Sequence, residues 1–222
     1  GAEPRAITNC LNFGNPENVK IMGEFVETII GIKEACEFLD YPVVSGNVSF
    51  YNGTNKKNIN PTPVIGGVGL IKNIKNILNH KFKREGNTVI LIGKTFGHLS
   101  QSIFYEELFS IYDGPPPDIN LLNEKNNGET ILKLIKEKLI DSAHDISSGG
   151  LIIALAEMSI SSNIGIKINK PKKLSNIFEY FFGEDQGRYL IEVEETKLNK
   201  VENILKKHNI FNEIIGTTQK DL

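Results

Sequence analysis

The stretch Ala6-Ile7-Thr8-Asn9-Cys10-Leu11-Asn12-Phe13-Gly14-Asn15-Pro16-Glu17 holds a strand, a polar loop and the entry to a helix. Arg5 to Cys10 reads as a short buried strand, and Asn12-Phe13-Gly14-Asn15 as a loop rich in turn formers. Pro16 stands where a first helical residue belongs, with Asn15 as N-cap and Glu17 in the first turn. The helix so opened is expected to run to about Leu39. Its apolar stripe of Val19, Met22, Val26, Ile29, Ile30 and Cys36 has helical spacing and reads as core, not as a cofactor box.

Working outward, Tyr41-Pro42 stops the helix, and Val43 to Tyr51 reads as a strand interrupted at Ser45-Gly46-Asn47. Asn52 to Asn60 reads as an exposed loop. Pro63 to Ile71 is a strand whose three glycines, Gly66, Gly67 and Gly69, suit close approach of another backbone or a ligand. The polar stretch Lys72 to Asn87 marks a domain boundary, giving domains 1–84 and 85–222. Beyond it, strands are expected at Thr88–Ile92, Ser142–Ile146, Ile164–Asn169, Arg188–Val193 and Glu213–Gly216. Helices are expected at Leu99–Phe109, Leu121–Leu139, Leu151–Ser161 and Thr196–His208. Strands alternating with helices predict an α/β layered structure. No internal repeat is visible.

The 222 residues carry a formal charge of -2, which disfavours nucleic acid as a partner, because a phosphate backbone demands a concentrated basic surface. The small lysine clusters Lys56-Lys57 and Lys170–Lys173 read as solvated surface. Two cysteines, Cys10 and Cys36, make no disulfide framework and fit a reducing cytosol. No segment reaches the roughly 20 apolar residues that span a bilayer. The chain opens without Met, without a signal-peptide pattern and almost directly on a strand, so a truncated or processed chain is expected. The sequons at Asn47 and Asn52 have no secretory context and are set aside.

Four motifs could carry chemistry. In Ser45-Gly46-Asn47-Val48-Ser49 a glycine admits a phosphate to the backbone, the Asn oxygen is a hard ligand for Mg²⁺, and Ser can hydrogen-bond a phosphate or ribose; a β-bulge or turn explains the same residues. His144-Asp145-Ile146-Ser147-Ser148-Gly149-Gly150 opens a helix, where free N–H groups and the dipole seat a phosphate and Asp145 could hold a bridging metal; a plain cap with a tight turn is the alternative. Gly183-Glu184-Asp185-Gln186-Gly187 places paired acids in a glycine-flanked turn, as Mg²⁺ ligands or as solvated residues. Gly93-Lys94-Thr95-Phe96-Gly97 superficially suggests a Walker A loop but lacks its spacing, and is rejected as one.

Together with residues 6–17, these motifs resemble the second repeat of the phosphoribosylformylglycinamidine synthases, within the AIR synthase superfamily. The matching stretches are Val44-Ser45-Gly46-Asn47-Val48-Ser49-Phe50-Tyr51-Asn52, Pro61-Thr62-Pro63-Val64-Ile65-Gly66, Gly114-Pro115-Pro116, the His144 to Leu151 motif and Phe182 to Arg188. They follow the family's order and cover nearly the whole chain. The resemblance implies an A domain (1–84, a mixed sheet with helices, of the sheet-pairing type, without its opening) and a B domain (85–222, layered βα). The fold class is thus α+β joined to α/β.

The resemblance further implies a cytoplasmic, ATP-dependent ligase of purine biosynthesis using Mg²⁺. It joins formylglycinamide ribonucleotide to ammonia delivered by a glutamine amidotransferase subunit, with a small accessory subunit. Carried over, Asn9 and Gly46 touch ATP, Asn47 ligates Mg²⁺ and Ser49 contacts the substrate. By pseudo-symmetry Asp145 corresponds to a metal ligand, and Glu184, Asp185 and Gln186 to a substrate-binding turn, in what is a vestigial nucleotide site of the second repeat. The essential histidine and proton acceptor belong to the first repeat. This chain alone is therefore expected to be inactive, and its unpaired A-domain sheet to favour self-association. Two departures stand out: Asn9-Cys10 replaces the common Asp-Asn, and Asp185 replaces a common Ser. The alternatives are a non-catalytic scaffold half and another ATP-using enzyme of the superfamily.

Overall fold

A computed structural model describes residues 1–171 and 176–221, so Lys172 and Lys173 of the predicted lysine cluster lie outside the described residues. The chain divides into two compact units, Ala2–Ile74 and the residues from Lys75 onward.

The first unit is built on β1 (Glu3–Asn12), α1 (Val19–Leu39), β2 (Val43–Ser49), a small hairpin of β3 (Gly53–Thr54) and β4 (Lys57–Asn58), and β5 (Thr62–Leu70). Its sheet has the order β2-β1-β5, with β1 parallel to β2 through the α1 crossover and antiparallel to β5. Residues 52–60, expected as a plain loop, hold the hairpin, whose turn residues Asn55 and Lys56 both have positive φ. That is the backbone of a tight two-residue turn, and the lysine hides it because Gly usually fills the second position.

Two expectations about α1 change. Its N-cap is Asn18, whose side chain accepts from Lys20 N, while Asn15 closes a local turn by accepting from Glu17 N at 2.9 Å. The buried stripe is Ile21, packed with Leu11 and Phe13 and flanked by Phe25, Ile32 and Phe50. Val19, Met22, Val26, Ile29 and Ile30 are exposed, and Cys36 is half-buried. The helix is apolar on more than one side, so periodicity alone does not choose the stripe. The choice is made by the aromatic cluster, where Phe25 meets Phe13 and Phe50 edge-on at 5.2 and 5.1 Å.

The second unit contains β6 (Thr88–Ile92), α2 (Ile103–Phe109), α3 (Leu121–Lys136), β7 (Ser142–Asp145), α4 (Gly150–Ser162), β8 (Gly165–Ile168), α5 (Ile177–Phe182), β9 (Tyr189–Val193), α6 (Glu195–Lys207) and β10 (Asn212–Gln219). Its five strands run in the order β7-β9-β6-β10-β8, every neighbouring pair antiparallel. Period-two alternation sends Ile90 and Ile92 to α3 and α6 on one face, and Val89 and Leu91 to α4 on the other. The expected layers are present. α5 escaped the sequence reading because six aromatic-rich residues show too few turns for a helical period.

The residues just before β6 are tied into this unit, although they read as polar linker. Phe82 is buried, and the fully buried Glu192 carboxylate of β9 accepts from Lys83 N, Arg84 N, Asn87 Nδ2 and Ser142 Oγ, at 2.8–3.2 Å. A Glu192→Gln change keeps the volume but turns an amide donor toward other donors. It should cost about 1–3 kcal/mol in a denaturation experiment.

Candidate functional site

In the first unit the four expected contacts sit on adjacent strands. Asn9 is the register partner of Gly46, Cys10 of Asn47 and Asn12 of Ser49. Because side chains alternate along a strand, Asn9 and Gly46 share the face of the buried Ile7 and Leu11. Asn47 and Ser49 share the opposite face with Cys10 and Asn12. The structure thus brings the four onto two neighbouring strands but divides them between two faces. A Cβ on Gly46 would collide with the Asn9 side-chain oxygen and stand 2.9 Å from the Asn9 carbonyl oxygen. The glycine is what allows Asn9 to lie across β2.

Two residues that the sequence reading did not single out fasten this region. Asn52 Nδ2 donates to Phe13 O and Ser49 O, both at 3.0 Å, and to Ser49 Oγ at 3.2 Å. Asn58 Oδ1, on the hairpin, accepts from Asn15 N at 2.9 Å. Asparagines whose side chains complete a backbone turn leave only composition as a trace.

In the second unit a cavity of about 360 Å³ brings together Asp145, Glu184, Asp185 and Gln186 with Glu124, Ser147, Ser148, Arg188 and Tyr189. Asp145 ends β7 with an exposed carboxylate 3.3 Å from His144 Nδ1, and His144 Nε2 lies 3.0 Å from Glu157. Two of the other acids, Glu184 and Asp185, are engaged by the protein itself. Asp185 is buried and accepts from Phe96 N, Gly97 N and His98 N at 2.9, 3.0 and 3.2 Å. The Phe96 and Gly97 N–H groups of the Gly93–Gly97 loop are therefore turned to Asp185. The negative charge of Asp185 is held by these backbone amides.

Arg188 is the hub of these loops. Its buried guanidinium donates to Gly183 O at 2.5 Å, to Thr95 Oγ1 at 3.1 Å and to Asp185 O at 3.3 Å. Burial lowers its pKa from the ordinary guanidinium value, with Asp185, Tyr180 and Glu184 pulling it back. Burial raises the Glu124 pKa; it also raises that of Tyr189, with the charges of Glu124 and Asp145 adding to the effect. A carboxyl with a raised folded-state pKa stabilises the fold below its unfolded value and loses that contribution as pH rises through the folded value. Glu124→Gln should therefore stabilise the chain at pH 7, and the gain should vanish toward pH 3. Parallel denaturation curves at the two pH values would check this.

Among the described residues, no three His, Cys, Asp or Glu side chains converge as ligands for a metal ion. Among the same described residues, no helix is long and apolar enough to cross a membrane.

A two-unit chain with an α1 crossover sheet, followed by a five-stranded sheet covered by helices on both faces, defines its class. Residues 1–71 match the family described as AIR synthase related protein, N-terminal domain, and residues 84–221 match AIR synthase related protein, C-terminal domain. The chain belongs to the AIR synthase related family. Its relatives include the phosphoribosylformylglycinamidine synthase subunit PurL of Pelagibacter ubique, 53% identical over the whole chain, and that of Bradyrhizobium diazoefficiens, 46% identical over the whole chain. The chain spans 30% of the length of each. Among solved structures, Thermotoga maritima PurL complexed with ATP matches 99% of this chain and 34% of its own, with a TM-score of 0.70 at 18% identity. Escherichia coli HypE, a hydrogenase maturation protein, matches all of this chain and 69% of its own, with a TM-score of 0.72 at 18% identity. At that identity the likeness concerns the fold.

Proposed function

We propose that this chain forms part of a phosphoribosylformylglycinamidine synthase. In that reaction the γ-phosphate of ATP activates the amide oxygen of formylglycinamide ribonucleotide. Ammonia then displaces the phosphorylated oxygen, giving formylglycinamidine ribonucleotide, ADP and phosphate. The observation that carries this reading is the 53% identity to a PurL subunit across the whole chain. Thermotoga maritima PurL, of similar fold, has been solved with ATP and with FGAR.

In this reading Asn9 and Gly46 bind ATP and Ser49 orients the ribonucleotide. Asn47, on the sheet face it shares with Ser49, would hold Mg²⁺, and Asp145 would hold one in the second-unit cavity. A single amide or carboxylate fits Mg²⁺, which keeps several waters and takes its other oxygens from phosphates rather than from a protein cage. The ion, when bound, offsets phosphate charge. The chain's own residues contribute mainly by positioning. Ammonia comes from a glutamine amidotransferase subunit; a structure of a Thermotoga maritima PurLQS assembly, similar in fold to this chain, supports a multi-subunit enzyme. The rest of the site, including its histidine and proton acceptor, comes from the first repeat, whose sheet pairs with the first unit's sheet, where Val64, Val68 and Leu70 are exposed. The compartment is the cytoplasm.

A second reading concerns the second unit alone. Because Glu184 Oε1 and both Asp185 carboxylate oxygens accept from backbone amides, this half acts there as scaffold around a vestigial nucleotide pocket. In the full-length protein that contains this chain, Asn47→Ala should lower kcat/KM by about 100-fold, read as ADP release dependent on formylglycinamide ribonucleotide. Near-normal turnover would sink the ligase role assigned to this sheet.

A further inference from the structure

We infer that the start of α4 is closed to free anions, because the carboxylate of Glu184 already occupies it as an internal ligand. This rests on the second unit's geometry and is independent of the proposed reaction. Glu184 Oε1 accepts from Gly149 N at 2.8 Å and from Ile103 N at 2.9 Å. One carboxylate oxygen therefore joins the first residue of α2 to the N-cap residue of α4. The N-cap of α4, Gly149, has φ +81° and no side chain with which to cap the helix, and its own N–H is answered by Glu184 of the 183–187 turn. A helix N-terminus favours negative charge through its unpaired N–H groups and its dipole. Here that preference is met from within the fold.

The surroundings reinforce the closure. Gly150 packs against the backbone of the same turn: a Cβ there would lie 2.7 Å from Gly183 O and 2.8 Å from Phe181 O. The 360 Å³ cavity beside it is walled by Glu124, Asp145, Glu184 and Asp185. Its one arginine, Arg188, directs its guanidinium to Gly183 O, Thr95 Oγ1 and Asp185 O. A bare phosphate entering this cavity would meet carboxylates and no uncommitted cation among the lining residues. Glu184 is thus a positioning residue: it holds the 183–187 turn against α2 and α4. The Ser147–Gly150 motif in this unit is a joint between elements, not a phosphate seat.

The test is anion rescue. Glu184→Ala empties the seat and should lower the melting temperature of the chain. Added acetate or inorganic phosphate should then restore it saturably, by roughly 3 °C at tenfold excess over the dissociation constant, where an equal ionic strength of chloride does not. The wild-type chain should show no such anion-specific gain. Equal responses of variant and wild type would overturn the inference. If the variant fails to fold, wild type alone decides: a phosphate titration without divalent cations should leave the Gly149 and Ile103 amide resonances where chloride leaves them. Saturable shifts at those two amides would overturn it.

Discussion

Arg188→Met is expected to lower the unfolding free energy of the second unit by about 3–5 kcal/mol, among the largest single-residue effects in this chain. The side chain is fully buried, and its three donors reach Gly183 O, Thr95 Oγ1 and Asp185 O. Methionine fills much of the volume but donates nothing, so two carbonyls of the 183–187 turn and the Thr95 hydroxyl lose that partner. The Asp185 carboxylate, 3.9 Å from the guanidinium, also loses its nearest cation while staying buried. Arg188→Lys should recover only part of the loss, because one ammonium cannot reproduce the planar fork. Denaturant unfolding followed by a probe in the second unit reads the difference. A loss below about 1 kcal/mol would show that the loops do not depend on this hub.

Gly46→Val is expected to abolish measurable ligase turnover in the full-length protein, a loss of at least about 1000-fold, with little change in the fold of the second unit. Rotating the Asn9 side chain does not relieve the clash, because the new Cβ also meets the Asn9 carbonyl oxygen at 2.9 Å, and that atom belongs to the β1 backbone. β1 and β2 must therefore separate at the point where Asn9 and Gly46 are register partners. A milder Gly46→Ala should show the same defect in smaller measure, rising with side-chain size. Substitution at the exposed Val44, displaced from this register by the bulge between Ile7 and Thr8, should leave turnover near wild type.

Much of the architecture is legible in the sequence where an apolar run is bounded by turn formers, as β6 is by Gly86-Asn87 and Gly93. β6 is bounded by Thr88 and Ile92 in both, and its alternating residues find opposite cores. The α1 stripe is misjudged because the helix has apolar residues on several sides, and only the tertiary position of Phe13 and Phe50 selects Ile21 and Phe25. The helix start is misplaced by three residues because Asn15 and Asn18 both have capping chemistry, and Asn15 uses it on a local turn. At the second-unit cavity the residue types were found and their partners were not. Sequence shows that Glu184 and Asp185 are acids flanked by glycines. It does not show that amides from residues 96–98, 103 and 149, distant along the chain, converge on them. The structural roles of Asn52 and Asn58 are hidden for the same reason, being set by loops folded back on Phe13 and Asn15.

The measurement that bears most directly on the ligase reading is ADP release by the full-length protein with ATP, Mg²⁺ and ammonia, with and without formylglycinamide ribonucleotide. Release should require the ribonucleotide, match the amidine product one for one, and disappear in Gly46→Val. Release that proceeds equally without the ribonucleotide, or that survives Gly46→Val unchanged, would contradict the placement of the nucleotide on β1 and β2.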